Sequence, residues 1–167
     1  MPERALISLG SNVDPEKYLP LAVKRLEELG PLIGVSMVYQ NPAIGSLAQP
    51  DFLNAAALVE TELSAAEIRQ RLRQIEADLG RTRSADKNAP RTIDLDLCLL
   101  GAQVLDTPEF TLPDPSLLAR AHLAIPLAEL DPDFLYPTTG EPLRTIASRL
   151  ATTARLTPRP DIVLKLP

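Results

Sequence analysis

The stretch that decides the fold is Ile93–Leu100, which reads I-D-L-D-L-C-L-L. Leucine or isoleucine occupies every second position from 93 to 99, as expected of a strand with one face in a core. Asp94 and Asp96 then project together from the opposite face, about 6.5 Å apart. Cys98 and Leu100 share that face by the same alternation, which predicts that it is not simply open to water.

Working outward from this strand, the preceding segments alternate between strand-like and helical periodicity. The sequence predicts a strand over 5–9, a helix over 15–29, strands over 32–39 and 52–61, and a helix that ends at Gly80. Ser64 and Glu67 form a capping box at the start of that last helix. The resulting order, β-α-β-β-α-β, is typical of a ferredoxin-like α+β sandwich, an antiparallel sheet with helices on one face.

The remainder of the chain is rich in proline and predicts fewer regular elements. A tight turn at Gly101-Ala102 leads to a short strand over 103–105, and helices are predicted over 116–129 and 142–150. Residues 151–167 have no clear periodicity and are expected to form a loosely docked tail. No repeat or linker divides the chain, so a single domain over 1–167 is expected.

Composition narrows the class of protein. Lys and Arg total 17 against 22 Asp and Glu, a net charge of −5, which disfavours a broad nucleic-acid surface. No run approaches the about 20 apolar residues of a membrane span, and the first residues do not resemble a secretory signal. One cysteine permits no internal disulfide. We therefore expect a cytoplasmic protein without a nucleic-acid or membrane partner.

The paired aspartates favour a metal site. Two nearby carboxylates repel each other, and Mg²⁺ resolves such a conflict because it takes one or two carboxylates and completes its shell with water and phosphates. Arg81, Arg83, Lys87 and Arg91 lie within eleven residues just before the strand. Arginine forks suit phosphate oxygens. The alternatives, a solvent-facing strand and a solvated basic loop, stay open for each motif alone.

The two motifs together indicate phosphoryl transfer. Cations that bind phosphates and acids that bind Mg²⁺ supply the positioning and charge neutralisation on which that reaction depends. The chain has no G-x-x-x-x-G-K-[ST] motif, which argues against a P-loop enzyme.

Several segments resemble one family in order and spacing. They are I-S-L-G-S-N (7–12), Y-Q-N-P-A-I-G (39–45), Q-P-D-F-L-N-A-A (49–56), I-E-A-D-L-G-R-T-R (75–83), K-N-A-P-R-T-I-D-L-D-L (87–97) and R-A-H-L-A-I-P-L-A-E-L (120–130). Over about residues 4–150 the chain resembles the 6-hydroxymethyl-7,8-dihydropterin pyrophosphokinases of folate biosynthesis, whose fold is ferredoxin-like.

The resemblance implies a specific reaction. These enzymes transfer the β,γ-pyrophosphoryl group of ATP to the hydroxymethyl group of a reduced pterin and release AMP, with two Mg²⁺ ions bridging the triphosphate. Expected partners are therefore ATP and the pterin, and the chain is expected to be a monomer or a weak homodimer.

The resemblance also implies roles for individual residues. Asp94 and Asp96 would ligate both metal ions, and the catalytic set would be these two with Arg81 and Arg91. The ATP-binding set would be Glu76, Arg81, Arg83, Arg91 and Arg120. The pterin-binding set would be Asn41, Pro42, Ile44, Phe52, Asn54 and His122, with Phe52 stacked on the ring. Without the family resemblance, the residues favour ordinary structural roles for Asn54 and Phe52, and a buried apolar role for Cys98.

Three positions depart from the family pattern. Asp114 stands where a histidine is common, His122 replaces an aromatic ring that would close the pterin sandwich, and Asn88 lies where relatives can have Trp. An ionised aspartate cannot donate to a phosphate. Asp114 and His122 therefore keep open a second hypothesis, a binding module without turnover. A third hypothesis assigns the tail a role in interactions with other proteins.

Overall fold

The fold is built on one antiparallel sheet, with six strands among the residues that the structure describes. The structure is a computed structural model, and it describes residues 1–43, 49–82 and 89–166. The strands are β1 (Glu3–Ser11), β2 (Leu32–Val35), β3 (Tyr39–Asn41), β4 (Phe52–Thr61), β5 (Asp94–Leu100), β6 (Leu105–Asp106), β7 (Thr111–Leu112) and β8 (Thr157–Pro158). The helices are α1 (Pro15–Arg25), α2 (Ala65–Asp78), α3 (Ala121–Leu130) and α4 (Leu143–Ala151).

The sheet has the predicted ferredoxin-like order. Strand β1 lies between β5 and β4 and runs antiparallel to both, giving the order β5-β1-β4-β3-β8, while β2 also pairs with β4. The single strand predicted over 32–39 is instead divided into β2 and β3. Between them the Ser36 hydroxyl accepts a hydrogen bond of 2.8 Å from the Ala56 amide, in the place of a strand carbonyl. The capping box predicted at the start of α2 is confirmed.

Helices cover both faces of the sheet: the two helices of the predicted core, α1 and α2, share one face as predicted, and the later helices cover the other. Helices α1 and α2 bury one face with residues such as Ile7, and α3 and α4 bury the other with residues such as Leu6. The physical reason lies in β1, where Ala5 to Leu9 form an almost continuous buried run. A strand that is apolar on both faces needs a layer on each side.

A β-bulge in β5 changes the face on which its last residues lie. Ile7 opposes Leu97, whereas the preceding Leu6 opposes Leu99, so Cys98 is an extra residue in the ladder. The strict alternation predicted for this strand therefore ends at Leu97.

The bulge corrects two predicted positions and leaves a third intact. Leu99 packs with the α3/α4 side and Leu100 with the α1/α2 side, the reverse of the prediction. Cys98 stays on the α3/α4 side, where it is fully buried, as expected of a small apolar residue. Burial of its thiol raises the pKa of Cys98.

The C-terminal part differs from its predicted elements in two places. The helix predicted over 116–129 is divided into a short 3-10 helix, Pro115–Leu118, and α3, with Arg120 in an extended conformation between them. The strand predicted over 103–105 appears as β6, which pairs with β7. Beyond α4, strand β8 pairs with β3 and Leu164 is buried. No helix of the described ranges is long and apolar enough to cross a membrane.

We predict that Gly30→Ala destabilises the protein far more than Gly140→Ala. Both glycines have positive φ, which costs a side-chain-bearing residue about 1–2 kcal/mol. A Cβ at Gly30 would in addition lie 2.1 Å from the Glu60 carbonyl oxygen, where β4 passes, whereas Gly140 has open space. Urea unfolding should give a loss above about 4 kcal/mol for Gly30→Ala. Equal losses in the two variants would show that the backbone contact at Gly30 is unimportant.

Candidate active site

Two cavities meet at the edge strand β5. The first has a volume of about 280 Å³ and the second about 430 Å³. Both are lined by Arg91, Asp94, Asp96 and Asp114. If each cavity held one molecule, the two bound molecules would therefore lie closest to each other at the paired aspartates.

Asp94 is held between two arginines. Its Oδ1 accepts a hydrogen bond of 2.9 Å from Arg81 and its Oδ2 one of 2.7 Å from Arg91. The same guanidinium of Arg81 donates to Glu76, which is only 3% exposed and also accepts from the Leu95 amide at 2.9 Å. Burial alone would lower the pKa of Arg81, but the charges of Asp94 and Glu76 outweigh it and raise that pKa. Strand β5 and helix α2 are thus joined by an ion-pair network.

Asp96 lies where several negatively charged side chains are close together. Its side chain lines both cavities and is reached by solvent through them, but protein atoms surround it on its other sides. This desolvation, followed by the negative charges of Asp94, Asp114 and Glu76, raises the pKa of Asp96 to about 7. A cation placed here would relieve the repulsion among these carboxylates.

Asp114 combines a structural contact with an electrostatic effect. Its Oδ1 accepts a hydrogen bond of 2.9 Å from the Ser116 amide and so caps the 3-10 helix. Its backbone amide donates to the Cys98 carbonyl at 2.9 Å, which fixes this segment against β5. The carboxylate therefore stays beside Asp96 and adds to the negative charge there.

Part of the first cavity is lined by flat and amide-bearing side chains. Phe52 and Asn54 project from the same side of β4, and Asn54 donates a hydrogen bond to the Asn41 side chain across the ladder. His122, in the first turn of α3, lines the same cavity. Burial, with a smaller effect of the Arg120 charge, lowers the pKa of His122 to about 4, so the imidazole is neutral at pH 7.

Asn12 supports the site through its hydrogen bonds, a role that sequence reasoning missed. It is 2% exposed, and its Oδ1 accepts a hydrogen bond of 2.7 Å from the Arg91 amide. Its Nδ2 donates to Gln49 at 3.1 Å and to the Pro50 carbonyl at 3.3 Å. Asn12 thus ties together the segments that enter β4 and β5. The available signal was its position directly after a buried strand.

Arg69 and Arg73 also line the second cavity without having been predicted. They occupy positions 69 and 73 of α2, and Glu76 follows three residues later, so the spacing puts all three on one helix face. The guanidinium of Arg69 lies 5.4 Å from the centroid of the Phe110 ring. The helical spacing of these charges was the signal that could have identified them.

The predicted site residues separate into groups. Asn41, Phe52, Asn54, Arg91, Arg120 and His122 line the first cavity, and Glu76, Arg81 and Arg91 line the second. Arg120, predicted to bind ATP, lies on the first cavity rather than the second. Pro42 is exposed and lines a third cavity beside the first. Ile44, Arg83, Lys87 and Asn88 lie outside the described residues.

The acids suit a cation that needs few protein ligands. Among residues 1–43, 49–82 and 89–166, no three histidine, cysteine or acidic side chains lie together as a metal cage. Mg²⁺ accepts one or two carboxylates and draws its other ligands from water and substrate phosphates. The crowded carboxylate of Asp96 beside Asp94 fits that requirement.

Comparison with known proteins identifies close relatives. The family profile described as 7,8-dihydro-6-hydroxymethylpterin-pyrophosphokinase matches residues 6–132. The 2-amino-4-hydroxy-6-hydroxymethyldihydropteridine pyrophosphokinase of Pseudomonas aeruginosa is 36% identical over 140 residues, which are 82% of this chain and 86% of that protein. The enzyme of the same name from Bacillus subtilis is 37% identical over 129 residues, 75% of this chain and 77% of that protein.

Solved structures support the fold. The wild-type HPPK-DHPS of Plasmodium falciparum crystallised with pteroate matches 91% of this chain with a TM-score of 0.69 and 13% sequence identity. The chain spans 43% of the length of that solved chain. At this identity the likeness concerns the fold alone.

We predict that His122 destabilises the protein as the pH falls from about 6.5 to about 4. The pKa of His122 is lower in the folded than in the unfolded state, so the unfolded state binds more protons in this pH window. Acidification therefore lowers the free energy of unfolding. The wild type should lose up to about 3 kcal/mol relative to His122→Phe across the window. Urea unfolding at several pH values measures this difference, and Asp96 contributes equally to both proteins. Parallel pH profiles for the two proteins would contradict a buried neutral imidazole.

Proposed function

Because the chain belongs to the 7,8-dihydro-6-hydroxymethylpterin-pyrophosphokinase family, we propose that its two cavities bind the two substrates of the family's reaction. The chain is the pyrophosphokinase of folate synthesis: it transfers pyrophosphate to the hydroxymethyl group of 6-hydroxymethyl-7,8-dihydropterin, with ATP as the co-substrate that the family implies. The assignment of residues and of Mg²⁺ is our proposal.

One observation carries the proposal: the two cavities share Asp94 and Asp96. A transfer between two bound molecules requires the donor phosphate and the acceptor oxygen to meet at one point. That point here has the highest concentration of negative charge in the site, where a cation would neutralise both the carboxylates and a triphosphate.

We assign the pterin to the first cavity. A flat heterocycle is bound best by aromatic faces and a few in-plane polar groups. Phe52 and the neutral imidazole of His122 supply flat faces, and Asn54 and Asn41 supply amide donors and acceptors. The low pKa of His122 keeps a positive charge off the ring that would face the heterocycle. Pro42 and Ile44 stay predicted contacts.

We assign ATP to the second cavity, which has the larger volume and more basic residues. Arg81 and Arg91 are predicted to contact the phosphates, and both are already oriented by Asp94. Their guanidinium forks can share phosphate oxygens and the carboxylate. Arg69 and Arg73 extend this basic wall outward along α2. Arg83 stays a predicted contact, and Arg120 is proposed to reach the transferred group from the first cavity.

Asp94 and Asp96 are the residues that would hold Mg²⁺. When bound there with ATP, Mg²⁺ would neutralise negative charge on the transferred phosphates and orient them. Two ions are expected from the family resemblance. Asp114, which cannot donate to a phosphate, contributes to this site by increasing the attraction for cations. Glu76 supports the site indirectly, because it holds Arg81 and the Leu95 amide.

The test of the proposal is product analysis with ATP and 6-hydroxymethyl-7,8-dihydropterin, with Mg²⁺ and with excess chelator. AMP should appear only when pterin and Mg²⁺ are both present. Formation of ADP instead would contradict pyrophosphoryl transfer. Tight pterin binding without AMP release would favour a binding module that lacks turnover.

We predict that Asp96→Asn lowers the rate of AMP release by about 100-fold or more, because it removes a charged ligand from the point of transfer. Asp106→Asn, the same change on the exposed strand β6, is the matched control and should leave the rate unchanged. An Asp96→Asn enzyme with wild-type rate and wild-type Mg²⁺ dependence would exclude Asp96 as a metal ligand.

We predict that Gly10→Ala weakens pterin binding about tenfold and leaves ATP binding unchanged. A Cβ at position 10 would lie 3.0 Å from the Asn54 Oδ1 and 3.8 Å from the Phe52 ring, so it crowds the pterin side only. A shift of this size corresponds to about 1.4 kcal/mol. Gly34→Ala in β2, remote from both cavities, is the control. Calorimetric titration with each substrate separates the two effects, and equal weakening of both would oppose the assignment of cavities.

The cytoplasmic location, the monomeric or weakly dimeric state and the single-domain organisation stay predictions from the sequence.

A further inference from the structure

We propose that the C-terminal segment is part of the pterin site and that Arg159 is a positioning residue for strand β3. The inference rests on the proposed function, because it takes the first cavity as the pterin site. The family resemblance ends near residue 150, and residues 151–166 lie beyond it.

Strand β3 is a weak element that carries a site residue. It has three residues, and it pairs on one side with β4, where Asn41 opposes Phe52 and Tyr39 opposes Asn54. A strand this short has few ladder hydrogen bonds, so its order depends strongly on what covers its other edge.

The C-terminal segment covers that edge. In the register of β8, Pro158 opposes Tyr39 and Thr157 opposes Gln40. The Arg159 amide donates to the Val38 carbonyl at 2.8 Å, just before β3 begins. Strand β3 is thereby converted from an edge strand to an internal one.

The side chain of Arg159 adds a second connection. Its guanidinium donates to the Gln40 side-chain oxygen at 2.8 Å and, as a fork, to both Asp161 oxygens at 2.9 and 2.8 Å. Gln40 in turn donates to Asp51 at 2.8 Å. These contacts connect the C-terminal segment, β3 and the start of β4 next to Asn41 and Phe52.

The segment is anchored independently of these polar contacts. Leu164 is buried in the core on the α1/α2 side of the sheet, and Ile162 packs against the same core. Thr153–Leu156 also form one wall of the third cavity, of about 360 Å³, which shares Asn41, Arg120 and His122 with the pterin cavity. The start of β3 has its own anchor, because Tyr39 and Met37 donate to Glu129. Arg159 therefore acts on the Gln40–Asn41 end.

The functional consequence is preorganisation. A ligand that binds an already ordered strand does not lose free energy in ordering it. Without the Arg159 contacts, pterin binding would have to order Gln40 and Asn41, whereas ATP binding, on the far side of the aspartates, would not.

The experiment compares Arg159→Ala with Arg149→Ala as the matched control, since Arg149 also forms an exposed ion pair, with Glu141, but lies on α4 away from β3. We expect Arg159→Ala to raise the Kd and KM for pterin about three- to tenfold, as loss of about one or two hydrogen bonds would, with the KM for ATP unchanged. Arg159→Lys should restore part of the affinity because it can still donate to Gln40. Arg149→Ala should match the wild type.

Two further measurements separate positioning from general loss of structure. Hydrogen exchange over residues 38–43 should accelerate in Arg159→Ala and slow on pterin addition, while the thermal midpoint changes little. In a double-mutant cycle with Gln40→Ala, the effects on pterin Kd should be non-additive. Additive effects, unchanged pterin Kd in Arg159→Ala, or equal weakening of pterin and ATP binding would each overturn the inference. Failure of the wild type to release AMP would instead refute the proposed function.

Discussion

The hydrogen bonds that Asp94 accepts from Arg81 and Arg91 hold the site together, because they join the residue that follows α2, the segment that enters β5 and the strand itself. Arg81 follows α2, Arg91 precedes β5, and Asp94 begins that strand. An isolated carboxylate this close to Asp96 and Asp114 would be strongly disfavoured, and the arginines make it stable. The same groups are the ones that we propose contact a magnesium-bound triphosphate. Stability of the ligand-free site and binding of its substrate therefore depend on the same charges.

Placement of these charges at an edge strand explains how two substrates can reach them. Among the residues that the structure describes, strand β5 pairs with β1 and with no other strand, so cavities can open on both sides of Asp94 and Asp96. Beyond the aspartates, the bulge at Cys98 places Leu99 in the core on the α3/α4 side, so this part of the strand is buried. Asp114 is fixed to the same bulged residue through its amide. The strand is therefore polar and open to the cavities at Asp94 and Asp96, and apolar and buried from Cys98 onward.

The periodicity of the sequence was sufficient to predict the β-α-β-β-α-β order and the limits of β4, and the Ser64-x-x-Glu67 motif predicted the capping box of α2. These features depend on neighbouring residues, and the period of two or 3.6 reports them directly. It was also sufficient to place Asp94 and Asp96 on one face. The later helices were predicted as elements, but their position on the second face was not, because a helix pattern does not state which surface it covers.

The sequence by itself identified the residues that we propose supply the chemistry: paired acids, the arginines before them, and, through the family resemblance, the aromatic and amide residues of β4. Only the tertiary structure decided their relations. It moved Arg120 to the first cavity, buried Asn12 between two segments, shifted Leu99 through a bulge and brought β8 against β3. Each of these depends on contacts between residues far apart in the chain, such as Arg159 and Gln40. Such contacts follow from packing and register, which no local pattern encodes.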